Sequence, residues 1–139
     1  MNMKTIYLIV LNLFLFEGCN NTATNHYTTR SKAEAEKLFE RGWLPNIIPA
    51  SARNITVSND LDRNRSEGEF QYDPKETDDF SRYLKPYAGQ KLPLSRWQAY
   101  INEQKKKGYV AFEYSSDKSV WVFLVNIQTG HVRYVMWLS

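Results

Sequence analysis

The sequence predicts an α+β fold: an antiparallel β-sheet with about three helices packed mainly on one face. Three observations carry this reading. The C-terminal third holds three aromatic and β-branched runs, Tyr109–Tyr114, Ser119–Ile127 and His131–Leu138, joined by connections of hairpin length. Helix-start signals stand at Ser31, Asp73 and Ser95. Two short alternating segments lie between the first signal and the second. The expected element order is α-β-β-α-α-β-β-β, without internal repeats.

The chain opens with Lys4 and an apolar run from Ile6 to Phe16, broken at Asn12. About ten apolar residues suit a secretory signal and fall short of the roughly 20 that a spanning helix needs. Phe16-Glu17-Gly18-Cys19 follows. It resembles the lipobox of bacterial lipoproteins, with Phe16 in place of the usual Leu and an atypical Glu17. The resemblance implies that residues 1–18 are removed as a signal peptide. Cys19 then becomes the lipidated first residue and holds the protein on a membrane through acyl chains. Asn20 stands where Asp would mark inner-membrane retention, so the outer membrane is the expected site in a Gram-negative host. In either membrane the body would face the periplasm or the exterior. Residues 19–30 are polar and read as a flexible tether, leaving 31–139 as one domain, expected to be monomeric.

Within that domain, Ser31-Lys32-Ala33-Glu34 is a capping box opening a helix through Arg41, with Gly42 as its stop. Gly42–Pro49 is too proline-broken for helix or central strand, so Trp43, Leu44, Ile47 and Ile48 should pack on the core from an extended segment. Asn54–Ser58 alternates as a short strand, Asn59–Gly68 is a polar loop, and Glu69–Tyr72 is a second strand. Asp73-Pro74 caps a helix with an acidic first turn, an apolar stripe of Phe80, Tyr83 and Leu84, and an end at Pro86. Ser95 caps a helix that turns Trp97, Tyr100 and Ile101 inward and closes on Lys105-Lys106-Lys107-Gly108. In the next strand, Val120–Val125 is apolar at both parities and should be central, buried on both faces.

Composition narrows the function. The net charge of +3 is too mild to indicate nucleic acid. One cysteine, at the end of an apolar run, excludes an internal disulfide. Two histidines, His26 and His131, stand far apart in sequence and offer no zinc spacing. No Gly-x-Ser-x-Gly nucleophile motif occurs. Asp60-Leu61-Asp62-Arg63-Asn64 spaces its oxygens as calcium loops do, but Arg65 replaces the required Gly and Gln71 the required Glu. A turn is the better reading, and no metal, cofactor or catalytic residue is expected. Glu67, Glu69, Asp73, Asp78 and Asp79 form a pool of carboxylates that reads as a solvated face. Asp60, Asp62, Arg63 and Arg65, in mixed sign on one loop, are the candidate partner-binding residues.

Arg41-Gly42-Trp43-Leu44-Pro45, Ile48-Pro49-Ala50-Ser51-Ala52, Asp60-Leu61-Asp62-Arg63-Asn64 and Phe70-Gln71-Tyr72-Asp73-Pro74 lie within the span from Arg41 to Pro74, about a quarter of the chain. In these segments the sequence resembles a group of small lipidated or membrane-anchored bacterial proteins of unknown function. The resemblance implies a shared fold for the N-terminal half and transfers no activity. The function expected is a non-enzymatic envelope lipoprotein that binds another envelope protein through its sheet or its loop. An immunity or superinfection-exclusion lipoprotein is one alternative, and a carboxylate-dependent envelope hydrolase another.

Overall fold

The structure, a computed structural model, describes residues 21–139. The signal segment 1–18 and Cys19 lie outside the described residues. The elements in order are β1 (Thr22–Thr29), α1 (Arg30–Ala35), β2 (Arg53–Asp60), β3 (Arg65–Gln71), a 3-10 turn (Pro74–Glu76) running into α2 (Thr77–Ser81), β4 (Lys85–Pro86), α3 (Ser95–Lys106), β5 (Val110–Ser116), β6 (Ser119–Asn126) and β7 (His131–Leu138). The strands form one sheet in the order β1-β2-β3-β7-β6-β5-β4, and each neighbouring pair is antiparallel. The α+β class is as expected. Two of the helices, α1 and α2, pack on one face and α3 covers the other.

Strand alternation divides the core into two layers. Trp121, Phe123 and Val125 of β6 meet Val132, Tyr134 and Met136 of β7, Phe70 of β3, and Ile55 and Val57 of β2 on the first face. Ala33 of α1, Phe80 of α2 and the segment carrying Trp43, Leu44 and Ile48 close that layer. Phe80 packs edge-on against Phe70, Tyr72 and Phe123, the geometry that ring quadrupoles favour. On the second face Val122, Leu124, Val135 and Trp137 lie under Trp97 and Ile101 of α3. β6 is buried on both sides, as its unbroken apolar run requires.

Several local expectations change, Ser95 among them, which is the first residue of α3 and not its cap. The tether is ordered from Thr22: residues 22–29 pair along the whole of β2 as an edge strand. Its polar sequence carries no core signal, because almost every residue stays exposed. The first helix begins two residues earlier than its capping box would set it, since the N-cap is Thr29 in place of Ser31: still extended at the end of β1, its side chain accepts the Lys32 amide at 3.2 Å. That helix also stops early. Lys37 takes a left-handed conformation (φ 62°), with Lys37 N–H donating to the Glu34 carbonyl and Leu38 N–H to that of Ala33, a Schellman stop. A second turn then ends at Gly42 in the same pattern, with Gly42 N–H on Phe39 and Trp43 N–H on Leu38.

The expected loop 59–68 is mostly strand: β2 runs to Asp60, β3 starts at Arg65, and a four-residue turn joins them. The strand was masked by polar residues at core-facing positions. Ser66 donates to Asn59 at 2.7 Å, and the pair is buried. Lastly, Tyr83 turns outward, 57% exposed, because α2 ends at Ser81 and only Phe80 of the expected stripe is fully buried. Pro86 forms part of β4, where an edge position tolerates its missing N–H.

Candidate functional site

α3 covers only the β5–β6–β7 half of the second face. Over β1, β2 and β3 that face is polar. Its cross-strand rows are Thr22, Asp60 and Arg65; Thr24, Ser58 and Glu67; and His26, Thr56 and Glu69. Thr24 hydrogen-bonds Ser58 at 3.0 Å and His26 bonds Thr56 at 3.1 Å, so the rows are knit side chain to side chain. The flank of α3 forms a wall along this surface. Two depressions result, of about 150 Å³ beside Arg65 and Arg96 and about 250 Å³ beside Tyr100 and Arg133. They share Ser58 and Glu67 and make one shallow trough.

Two charged clusters line it. Glu67 Oε1 accepts from the Trp97 indole at 2.6 Å and from the Arg96 guanidinium. Glu69 Oε2 lies 3.2 Å from His131 Nε2 and 3.6 Å from an Arg133 nitrogen. His131 Nδ1 is 2.6 Å from the Tyr109 hydroxyl. Burial works against the Arg133 charge, but hydrogen bonds with Tyr100 and Tyr109 and the Glu69 carboxylate outweigh it and hold the group above its ordinary range. Burial also pushes the Tyr100 hydroxyl up, despite the bond to Arg133 that pulls the other way. The β3 carboxylates are thus held by protein donors at the floor of an open surface. Glu67, Glu69 and His131 each appear in the sequence as ordinary polar residues. Glu69 meets His131 through the pairing of β3 with β7, and Glu67 meets Arg96 and Trp97 through the packing of α3, both of which the polar reading of 59–68 concealed.

The four candidate partner-binding residues come together at the β2–β3 turn. Asp60 accepts the Arg63 amide at 3.2 Å and lies 3.4 Å from the Arg63 guanidinium and 3.6 Å from that of Arg65. Partial burial opposes its charge, but these three contacts prevail and hold the carboxyl below its usual range. Asp62 receives the Asn21 side-chain amide on both oxygens at 2.8 Å. Arg65 packs inward, whereas the Arg63 side chain is 70% exposed. Asp73, Asp78 and Asp79 sit on α2 and its cap, away from this face. Among the described residues no group of three His, Cys, Asp or Glu side chains could hold a metal ion, and no helix is long and apolar enough to cross a membrane.

Comparison with curated proteins and with solved structures gives no match. A family model does match: residues 21–71 are similar to the YbbD head domain, a stretch that runs from the start of β1 to the end of β3 and so contains the three strands whose polar face is left open.

Proposed function

We propose that this protein is a bacterial cell-envelope lipoprotein, anchored through Cys19, which binds another envelope protein on the open polar face of β1–β3. One observation carries the reading: half of one sheet face is left uncovered and polar, while the other half of the same face is buried under α3. A solvated polar face is ordinary in an antiparallel sheet; here it is shaped into a trough by the wall of α3 and lined with ion-paired charges. Fixed charges such as Arg133 and Glu69, held by neighbours in the lining of an open trough, suit recognition of a charged partner surface. The similarity of the same three strands to the YbbD head domain supports a role for them as a unit.

The test places a photo-crosslinking residue at Thr56, inside the trough, and another at Ile127, exposed at the far end of the sheet, in the full-length protein in its own cells. A discrete adduct from position 56 that is absent from position 127 supports the reading. Equal adducts, or none from position 56, would overturn it. Cell fractionation of a Cys19→Ala variant tests the anchor separately: the protein should leave the membrane fraction or accumulate as precursor.

The hydrolase reading has one observation on its side. Glu67 and Glu69 project from the same face of β3, two residues apart, with about 7 Å between their backbone positions by strand geometry. That separation suits paired carboxylates acting on a sugar. Both are already engaged by arginine, indole or imidazole, so a reacting sugar would have to displace those donors. Release of a reducing sugar from envelope glycan by wild-type protein, lost in Glu67→Gln, would establish it.

A further inference from the structure

The end of the sheet that carries the β2–β3 turn has a feature the proposed function does not use. Two residues, Asn20 and Asn21, separate Cys19 from the first residue of β1. Asn21 is itself fixed to the turn. Its carbonyl accepts the Leu61 amide at 3.3 Å, and its side chain holds Asp62. The chain therefore enters the fold at the tip of the β2–β3 hairpin. At no more than about 3.6 Å per residue, the two steps of chain from Cys19 to Asn21 can reach no further than roughly 7 Å. A lipid on Cys19 would bring this end of the sheet onto the bilayer without a spacer.

The same end exposes apolar side chains. Leu61, at the tip, is 49% exposed, and Leu138, at the end of β7 beside β3, is 46% exposed. Cations flank them in Arg63 and in Lys118 of the β5–β6 turn, whose carbonyl accepts the amide of Ser139. Asp62 and Asp117 share this end, so its charge is close to balanced and an electrostatic hold on anionic lipid is not the driving term. Exposed leucines beside an acyl anchor fit the headgroup–acyl boundary, with Arg63 and Lys118 reaching phosphates.

We propose that the Leu61–Arg63 tip and Leu138 form a bilayer-contacting surface that stands the sheet upright on the membrane, with the open polar face of β1–β3 turned sideways along it. This rests on Cys19 being lipidated. Upright anchoring has a consequence for the long β1 edge: two anchored copies cannot pair these edges antiparallel, because one of them would have to be inverted relative to the membrane.

The test uses Leu61→Cys and, separately, Ile127→Cys in the full-length protein. Lipidation blocks the Cys19 thiol as a thioether, so each variant offers one reactive thiol at a site of similar exposure, at opposite ends of the sheet. Each is purified in its lipidated form, labelled with an environment-sensitive fluorophore and reconstituted in phosphatidylcholine vesicles containing a lipid-borne quencher. Quenching at position 61 should be several-fold greater than at position 127 and should persist in 1 M salt, where the Debye length is about 3 Å. Equal quenching at the two sites with lipid confirmed on Cys19 by mass spectrometry would overturn this orientation and leave the anchor standing. An unmodified Cys19 would overturn both.

Discussion

The two halves of this sheet are built on different terms. In the β5–β6–β7 half, consecutive residues of β6 are buried whichever way they point: Trp121, Phe123 and Val125 under α1 and α2, Val122 and Leu124 under α3. In the β1–β2–β3 half, only one parity is buried. Ile55, Val57 and Phe70 enter the first core, while Thr56, Ser58 and Glu67 on the reverse side face an open trough. The first half supplies stability, and the second borrows it through the β3–β7 pairing. Such a division leaves a rigid polar surface free for a task other than folding, since a partner can be met without opening the core.

The largest effect should separate the halves directly. Trp121 is buried, and its indole N–H donates to the Trp43 carbonyl at 3.4 Å. Trp121→Ala should cost about 3–5 kcal/mol in chemical denaturation, through lost transfer energy and the cavity left behind. Thr24→Ala on the polar face should change stability by no more than about 0.5 kcal/mol. A similar cost at both positions would break the division. Gly68 comes next, because it lies at the seam. A Cβ there would stand 2.3 Å from the Thr56 carbonyl oxygen and 2.6 Å from the Tyr134 hydroxyl. Gly68→Ala should therefore cost about 1–3 kcal/mol by overpacking. An unchanged denaturation midpoint would show that both the Thr56 backbone and the Tyr134 side chain can give way.

The same contrast decides what could be read from the sequence. The β6 run announces itself, because burial on both faces leaves only apolar residues between Val120 and Val125. The helix stop at Gly108 was legible too, as glycine takes positive φ without strain, whereas the first helix stops at Lys37, ahead of the expected Gly42. The polar half was harder. β1 is an edge strand with exposed side chains, so its pattern matches that of a tether. β3 begins Arg65-Ser66-Glu67-Gly68, and its core-facing Ser66 and Gly68 are chosen to fit Asn59 and Tyr134 across the sheet. A pair of that kind is visible only once the register is known. The trough was hidden for the same reason: Glu67, Arg96 and Trp97 are far apart in the chain and meet only when α3 folds back over β3. The turn residues Asp60 to Arg65 stood out by composition, and the structure shows how much of that composition shapes the turn.

A smaller effect tests how complete the first core is. Tyr134 is fully buried, and its hydroxyl lacks a well-formed hydrogen bond among the described residues. Burial pushes this hydroxyl above its ordinary range, with Ser66 pulling weakly the other way. Tyr134→Phe should be neutral or stabilising by up to about 1 kcal/mol at pH 7, since it removes a buried polar atom that gains little. The pH dependence follows from the raised value. Below the unfolded value near 10 the hydroxyl is neutral in both states and its contribution is whole. As pH rises towards the folded value, the unfolded chain ionises first and stability is lost. The variant should therefore show a shallower loss above about pH 10. A clear destabilisation at pH 7 would mean that the hydroxyl has a partner, such as a buried water.

The smallest effect is expected at the turn, where the two readings of Arg63 diverge. Asp60 already has the Arg63 amide and the Arg65 guanidinium, so removing the exposed Arg63 side chain deletes one of several contacts. The Asp60 carboxyl is held below its usual range, and a depressed acid stabilises the fold above its unfolded value and loses that contribution as pH falls through the folded one. Arg63→Ala should leave the melting temperature nearly unchanged at pH 7, and the small difference from wild type should vanish at low pH, once Asp60 is protonated in both. Salt should shrink it as well, because an exposed pair is screened. A large drop at pH 7 would make the turn a structural network and would weaken any role for Arg63 outside the fold. With stability intact, a change in membrane contact of the anchored protein would assign Arg63 to the bilayer end. A change confined to crosslinking from Thr56 would instead extend the partner surface from the open face to the hairpin tip.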